Sequence, residues 1–543
     1  MNNENRQFRI LYRHFVYRLA DPELIPAEGD SRRLLGQFAA LFLFFSFWVS
    51  LSAFGIDGPR VFLMEHFLIS TTMLVVGLFA VINWDATFPD LRDVLVLGPL
   101  PVRTRTVFMA KAAALTAALG AVVMALNAFT GITYPLMLKP NAIRSFAAYW
   151  IAMLLAGAFI SWSLLAVQGL AAQLLSRSRF LRVSAFLQMS AFCLIVTGYF
   201  LASPAHMAWL PSYWFVGLFQ QLNGTLQPEL MPLAKRAWIG LAATGCAAAT
   251  AFVLSYLRTL RKIVEQPEIV SRFHFLNGAP SRGNPLKTAL TVFSIRTLLR
   301  SRQHRVTLAF YLGAGFALVI LLARLPRVPG DNTALLVSSM MMSAFWIVGV
   351  RVVFAMPFTL RANWIFRVSA VRGAEDYLAA VRRPLFVIGA GPAWLVWAAF
   401  FLCMWPLRTA IGHLLVLGLW ETIVAWICLY RFRKIPFTCS WLPGKSHFHL
   451  TFLGFLGILI LIVRGAIFER SALDDGKMFA EMMAALASVA LVARWLAMRG
   501  HWPFAREVLF DEAPPTEIFG LGLYRDGALP IEPDYQGLPK RTS

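Results

Sequence analysis

Phe146-Ala-Ala-Tyr-Trp-Ile-Ala-Met-Leu-Leu-Ala-Gly-Ala-Phe-Ile-Ser-Trp-Ser-Leu-Leu-Ala-Val-Gln-Gly-Leu-Ala-Ala-Gln173 runs for 28 residues without an acidic, basic or imidazole side chain. Coiled as a helix it is about 42 Å long at about 1.5 Å per residue. A bilayer's hydrocarbon core is about 30 Å thick, so the run suffices to cross it. Similar runs lie at 34–54, 66–83, 110–128, 183–203 and 237–257, and then at 306–323, 333–355, 384–405, 411–430, 448–465 and 478–497. That makes six and six. The last two are the least apolar: one stops at Arg464 and the other carries Glu481 and Arg494.

Composition agrees with this reading. The chain of 543 residues is 58% hydrophobic and 14% charged, with a mean hydropathy of +0.63, whereas soluble domains are about 45–50% apolar and about 25% charged. The formal net charge of +22 would suggest nucleic acid in a soluble protein. Here the arginines and lysines sit in short loops between apolar runs, where membrane topology and anionic lipid headgroups account for them, and no basic run is interleaved with aromatics in a polar segment. Membrane lipids are therefore expected partners and nucleic acid is not. The cysteines Cys193, Cys246, Cys403, Cys428 and Cys439 have no C-x-x-C spacing, so neither a disulfide framework nor a metal site is expected. The first residues lack the apolar core of a cleavable signal peptide, which leaves the first span as its own insertion signal.

The basic loops alternate along the chain. Arg6, Arg9, Arg13, Arg18, Arg32 and Arg33 precede the first run, and further clusters lie around Arg103/Arg105, Arg177/Arg179/Arg182, Arg258/Arg261, Arg382/Arg383 and Arg431/Arg433. Basic loops stay cytoplasmic, which places both termini in the cytoplasm. The two halves echo each other. Phe8, Leu11, Phe15 and Leu19 recur at helical spacing opposite Arg9, Arg13 and Arg18 before the first run, and Phe293, Leu298 and Leu299 with Arg296, Arg300 and Arg302 precede the seventh. Each stretch reads as an amphipathic helix at the membrane interface. A long mixed-charge loop follows the second run of each half, at 85–111 and at 358–383. The expected fold is thus an all-α membrane protein of about 12 spanning helices in two tandem six-helix repeats, each preceded by an interfacial amphipathic helix. Its segments are 1–33 (N-terminal, with the leading helix), 34–257 (first repeat), 258–305 (linker with the second leading helix), 306–498 (second repeat) and 499–543 (a polar, proline-containing cytoplasmic tail).

Few motifs carry chemistry. Cys439-Ser-Trp-Leu-Pro-Gly-Lys-Ser446 ends like a phosphate-binding loop, but its leading glycine is a cysteine, Pro443 removes an amide, and it lies between two apolar runs instead of after a strand. No catalytic residue, cofactor or metal is expected, and any ATP hydrolysis belongs to another chain. Glu421 is the one carboxylate near the middle of a firm run. Burying its charge costs about 2.5–3.5 kcal/mol on insertion scales, so it is the candidate intramembrane polar site, with Arg351 or Arg464 as expected partner. A structural pairing is the simpler reading, since one acid does not make a proton relay. His413, near a run's end, reads as interfacial. Asn83, Asn127, Gln168, Gln173 and Gln188 read as interhelical hydrogen-bonding groups, and Gly389-Ala-Gly-Pro392 as a loosened turn.

The loop Trp84-Asp-Ala-Thr-Phe-Pro-Asp-Leu-Arg-Asp-Val-Leu-Val-Leu-Gly-Pro-Leu-Pro-Val-Arg-Thr-Arg-Thr-Val-Phe-Met-Ala-Lys111 resembles the membrane subunit of ATP-binding-cassette (ABC) transporters of the type-2 exporter class. There the loop after the second helix often carries Leu-Pro, basic residues and a lysine opening the third helix, here Leu100, Pro101, Arg103, Arg105 and Lys111. The stretches 360–366, 436–444 and 211–218 are similar to two-repeat bacterial permeases of this kind. The resemblance implies a bacterial inner-membrane permease whose leading helices and loops, 8–20 with 85–106 and 290–303 with 358–383, contact an ABC-type ATPase subunit. In the first loop Asp85, Asp90, Arg92 and Asp93 would face that subunit; in the second, Arg361, Asn363, Trp364, Arg367 and Arg372. Two features depart from the family: its members are often single six-helix units that dimerise, and the second loop lacks Leu-Pro. The alternatives are a two-half secondary transporter, whose usual Gly…Asp-Arg-x-Gly-Arg signature is missing from 83–105, and a membrane scaffold or enzyme.

Overall fold

The computed structural model of the chain describes residues 3–20, 31–53, 59–87, 97, 100–138, 141–201, 208–254, 285–323, 332–356, 374–430, 432, 436–437 and 448–499. Every regular element among them is a helix. In hydrocarbon each backbone amide and carbonyl must find a partner within its own segment, and long apolar sequences satisfy that by coiling.

The first half comprises α1 (Asn3–Ala20), α2 (Ser31–Ala53), α3 (Pro59–Ile82), α4 (Thr104–Leu126), α5 (Thr130–Met137), α6 (Ala142–Leu174), α7 (Arg177–Phe200), α8 (Pro211–Asn223) and α9 (Met231–Leu254). The second comprises α10 (Pro285–Arg300), α11 (Arg302–Ala323), α12 (Thr333–Ala355), α13 (Ala374–Leu385), α14 (Gly391–Met404), α15 (Leu407–Leu429), α16 (Phe448–Asp474) and α17 (Gly476–Arg499). Among the described residues, 10 helices are long and apolar enough to cross a membrane. The chain is therefore a multi-pass, all-helical membrane protein. The run at 34–54 appears as α2, whose apolar part is the shorter Ala39–Ala53, and that at 448–465 lies in α16, outside the ten. The last run, despite Glu481 and Arg494, is a full-length helix over Gly476–Met498.

Several boundaries differ from expectation. The second long loop ends sooner than Arg383, because α13 already begins at Ala374. It continues into α14 through a π-helical turn, Phe386–Ala390, in which the Gly391 N–H reaches back to Phe386 O. Pro392 follows without an N–H of its own, so the loosened turn at 389–392 is present and takes a π form. Two short helices, α5 and α8, lie between spans. Helix α8 starts on Pro211 and ends at Gly224 in the left-handed region, φ 84°, where Arg144 Nε donates to Leu222 O at 2.9 Å. Its residues Phe215, Val216 and Leu218 are wholly buried.

Neighbour relations recur in the two halves. Helix α3 packs on α6 and α7, and α6 on α9; likewise α12 packs on α15 and α16, and α15 on α17. The halves meet where α7 runs alongside α11. Phe192 and Phe310 form an edge-to-face pair there at 4.6 Å between centroids, and Gly313 lies directly against the Phe192 ring.

Candidate functional site

Helix α1 closes one end of the first half. Leu11, Phe15 and Leu19 bury against Ala110 and Ala114 of α4, with Leu97 and Val102 of the preceding loop at the edge of the cluster. Polar contacts extend the seam: Glu4 pairs with Arg103, and the Gln7 side-chain amide reaches Pro101 O at 3.5 Å. The apolar face of α1 thus meets protein, while Arg6, Arg9 and Arg13 stay exposed. Leu100, Pro101, Arg103 and Arg105 are exposed as well. Lys111 is not part of that surface. It is 2% exposed beneath α1, its ammonium 5.4 Å from the centre of the Phe15 ring, because the face of α4 that carries it is the one α1 covers. Asp90, Arg92, Asp93 and the Asp85 side chain lie outside the described residues, as do Arg361, Asn363, Trp364, Arg367 and Arg372.

Helix α10 repeats the arrangement: Leu290 packs with Ala380, Val381 and Leu385 of the helix that follows the second loop, and Arg383 Nη1 approaches Thr288 Oγ1 at 3.4 Å. Beside it a knot of rings forms. Phe437, at φ 64°, sits against Phe293, His304 and Phe354, with its backbone N–H donating to Phe354 O at 2.9 Å.

Buried polar groups tie the spanning helices of the first half. Where α3 ends, Trp84 Nε1 donates to Ser184 Oγ at 2.9 Å, Gln168 donates to Trp84 O at 2.9 Å and Gln188 to Val81 O at 2.8 Å. Deeper in, the Tyr149 hydroxyl lies 2.7 Å from Asn127 Oδ1, to which it donates, and 3.0 Å from Thr130 Oγ1, while Asn127 Nδ2 donates to Thr72 Oγ1 at 3.1 Å. Asn127, Gln168 and Gln188 therefore make the interhelical bonds expected of them; Asn83 bonds within its own helix, to Phe79 O. Near the start of α3, Glu65 is 5% exposed and accepts from Gln220 Nε2 at 2.8 Å. Next to it His66 stacks on Tyr213 at 3.9 Å and meets Ser212 Oγ at 3.0 Å.

The second half holds a fully buried pair of titratable side chains in direct contact. His413 of α15 is wholly buried, walled by Phe401 at 4.5 Å and Trp405 at 6.0 Å. Its Nε2 is 2.9 Å from Ser339 Oγ on α12, and its Nδ1 is 2.7 Å from Glu469 Oε1 on α16. All three side chains are 0% exposed. Further along the same helix pair, Ser343 Oγ donates to Glu421 Oε1 at 2.7 Å, the carboxylate being 2% exposed. Glu421 thus finds a serine instead of an arginine. Arg351 donates from Nε to Cys428 O at 2.8 Å and stacks on Phe432 at 3.9 Å, and Arg464 is exposed. His413 faces protein and not solvent, and Glu421 is not the one buried acid: Glu65 and Glu469 join it.

A serine, a histidine and a glutamate in series have the order of a nucleophilic triad. The surroundings do not suit acyl transfer. Ser339 lies inside a helix whose amides are committed to the helix, its hydroxyl faces Leu336 O at 2.8 Å, and it has no exposed surface for a substrate to reach. What the arrangement can do is hold hydrogen atoms in a fixed chain and join three helices.

No protein-family model, no curated protein and no solved structure matches the chain.

Proposed function

We propose that the chain is the membrane-spanning permease of an ABC transporter of the type-2 exporter class, with two six-helix repeats flanking the path and a separate ATP-binding subunit as motor. The observation that carries this reading is the twofold use of one device: an amphipathic helix, α1 or α10, packed on the first turns of the helix that follows a long loop. A soluble motor closing against such a helix pushes directly on a spanning helix, so its stroke has a stiff path into the bundle. The recurring pairs α3–α6 with α12–α15, and α6–α9 with α15–α17, support the repeat. In this reading both termini and the α1 end face the cytoplasm of a bacterial inner membrane.

Affinity purification in mild detergent tests it: a nucleotide-binding subunit should be recovered with the chain, and reversal of Arg103 and Arg105 to Glu should lose it. Failure to recover such a subunit across several detergents overturns the proposal. A second reading, a carrier driven by a proton gradient, is favoured by the buried acids Glu65, Glu421 and Glu469. It requires reconstituted chain without ATPase to dissipate an imposed pH gradient.

A further inference from the structure

The donation of the Ser339 hydroxyl to Leu336 O selects one set of hydrogen positions for the second-half chain. Ser339 has one hydroxyl hydrogen and two contacts, Leu336 O at 2.8 Å and His413 Nε2 at 2.9 Å. A carbonyl can only accept, so a hydroxyl that donates to it is left to accept from an Nε2–H. With Nε2 protonated, a neutral imidazole offers Nδ1 as an acceptor, and Glu469 Oε1 at 2.7 Å must then bring the hydrogen. The other carboxyl oxygen, Oε2, is buried and has no hydrogen-bond partner among the described residues. An ionised carboxylate would leave that buried oxygen charged and without a protein donor among the described residues, which is costly, whereas a carboxylic acid leaves only a carbonyl unsatisfied.

We propose that Glu469, His413 and Ser339 form a proton-binding site inside the second half: Glu469 holds one proton on Oε1 and can pass it to His413 Nδ1. In that transfer the O–H bond breaks and an N–H bond forms, giving an imidazolium–carboxylate pair of unchanged net charge, and release of the proton from the pair leaves it one charge more negative. The neighbours do not replace this proton. Glu421 bonds to Ser343, Arg351 of α12 is engaged at Cys428, and Arg408, Arg464, Arg470, Asp474, Lys477 and Glu481 on α15, α16 and α17 are exposed. Helix α14 contributes only Phe401 with the adjoining Trp405.

This site does not depend on the ATPase partner, and its test needs none. Infrared spectra of the full chain in lipid nanodiscs, taken between about pH 5 and about pH 9, should show the carbonyl band of an un-ionised carboxyl. The part of that band lost in Glu469→Gln should shift down in heavy water and diminish as pH rises. In His413→Gln, which lacks the accepting base, it should persist to the highest pH. Glu421→Gln should leave it in place. A spectrum in which Glu469→Gln removes nothing overturns the proposal, because the acid is then ionised. A Glu469 band that neither exchanges in heavy water nor titrates overturns it too, because the proton is then a fixed part of the fold. Ser339→Ala removes the acceptor for Nε2–H at little cost in volume; a Glu469 band unmoved by it refutes the assigned chain of donors.

Discussion

Phe15→Ala tests whether α1 is a rigid part of the bundle. Phe15 is 2% exposed and packs on Ala110 and Ala114, and its ring faces the Lys111 ammonium at 5.4 Å. Truncating a buried phenylalanine costs about 3–5 kcal/mol, and a desolvated cation–π contact adds about 1–2 kcal/mol. Helix α1 has 18 residues, and in proteins most of a helix's stability comes from packing of its amphipathic face, so most of its order comes from this seam. The lower figure of about 3 kcal/mol corresponds to about a 100-fold loss of protection, at about 1.4 kcal/mol per decade. Hydrogen exchange followed by mass spectrometry should show that loss over 8–19, while α6 and α15 keep their protection because local opening of α1 need not open the core. Tyr17→Ala is the control, since Tyr17 is 53% exposed; its exchange should match the parent protein. Unchanged protection in Phe15→Ala, or equal loss in both variants, refutes the claim that the Leu11–Phe15–Leu19 face holds α1 in place.

Other substitutions probe the remaining contacts. Gly313→Ala would put a Cβ into the space of Phe192 Cε1, so the ring must leave its pair with Phe310; about 1–3 kcal/mol of overpacking should lower the thermal midpoint in detergent. Tyr149→Phe strips Asn127 Oδ1 of its donor and should cost about 1–2 kcal/mol, read by denaturant unfolding monitored by tryptophan fluorescence. Glu421→Gln keeps an acceptor for Ser343 and should change the midpoint by less than about 0.5 kcal/mol equivalent, whereas Glu421→Leu should cost about 1–3 kcal/mol by orphaning that hydroxyl. Ala110→Leu and Ala380→Leu, both at wholly buried positions under a leading helix, should each raise exchange in α1 or α10, and each should reduce recovery of an ATPase subunit.

Hydropathy located the spanning helices because each depends on its own composition, and it found Asn127, Gln168 and Gln188 because amides inside apolar runs need partners. It missed contacts that join distant segments. Glu469 falls just past the run that stops at 465, and its neighbours Phe468 and Arg470 make the sequence there look interfacial. Glu65 falls one residue before the run that starts at 66. Hydropathy trims charged residues from the ends of a run, yet α3 and α16 continue through them, and burial comes from other helices: Gln220 is 155 positions from Glu65, and His413 is 56 from Glu469. Lys111 was misplaced for a similar reason. A lysine at the head of a helix looks exposed until α1, nearly a hundred residues earlier in the chain, is laid over it.

The halves share neighbours but differ in the chemistry that joins them. Glu65 and Ser339 are each the seventh residue of their helices, and Tyr149 and His413 lie at nearly the same height in theirs. In the first half a phenol, an amide and threonines link those helices, groups that keep their protons across the physiological range, and Glu65 and His66 bond to Gln220 and Ser212 and not to each other. In the second half the corresponding place holds an imidazole and a carboxyl, the pair of side chains suited to exchanging a proton. A motor acting through α1 and α10 would push both halves alike, so a response to pH confined to α12, α15 and α16 and kept in Glu421→Gln, which removes the other buried acid of those helices, would originate in that pair. Exchange protection of Glu421→Gln that varies with pH in those three helices, and not in α3 and α6, would therefore tie the proton site to movement of the second half; equal variation in both sets would trace the effect to Glu65 and His66 or to the leading helices instead.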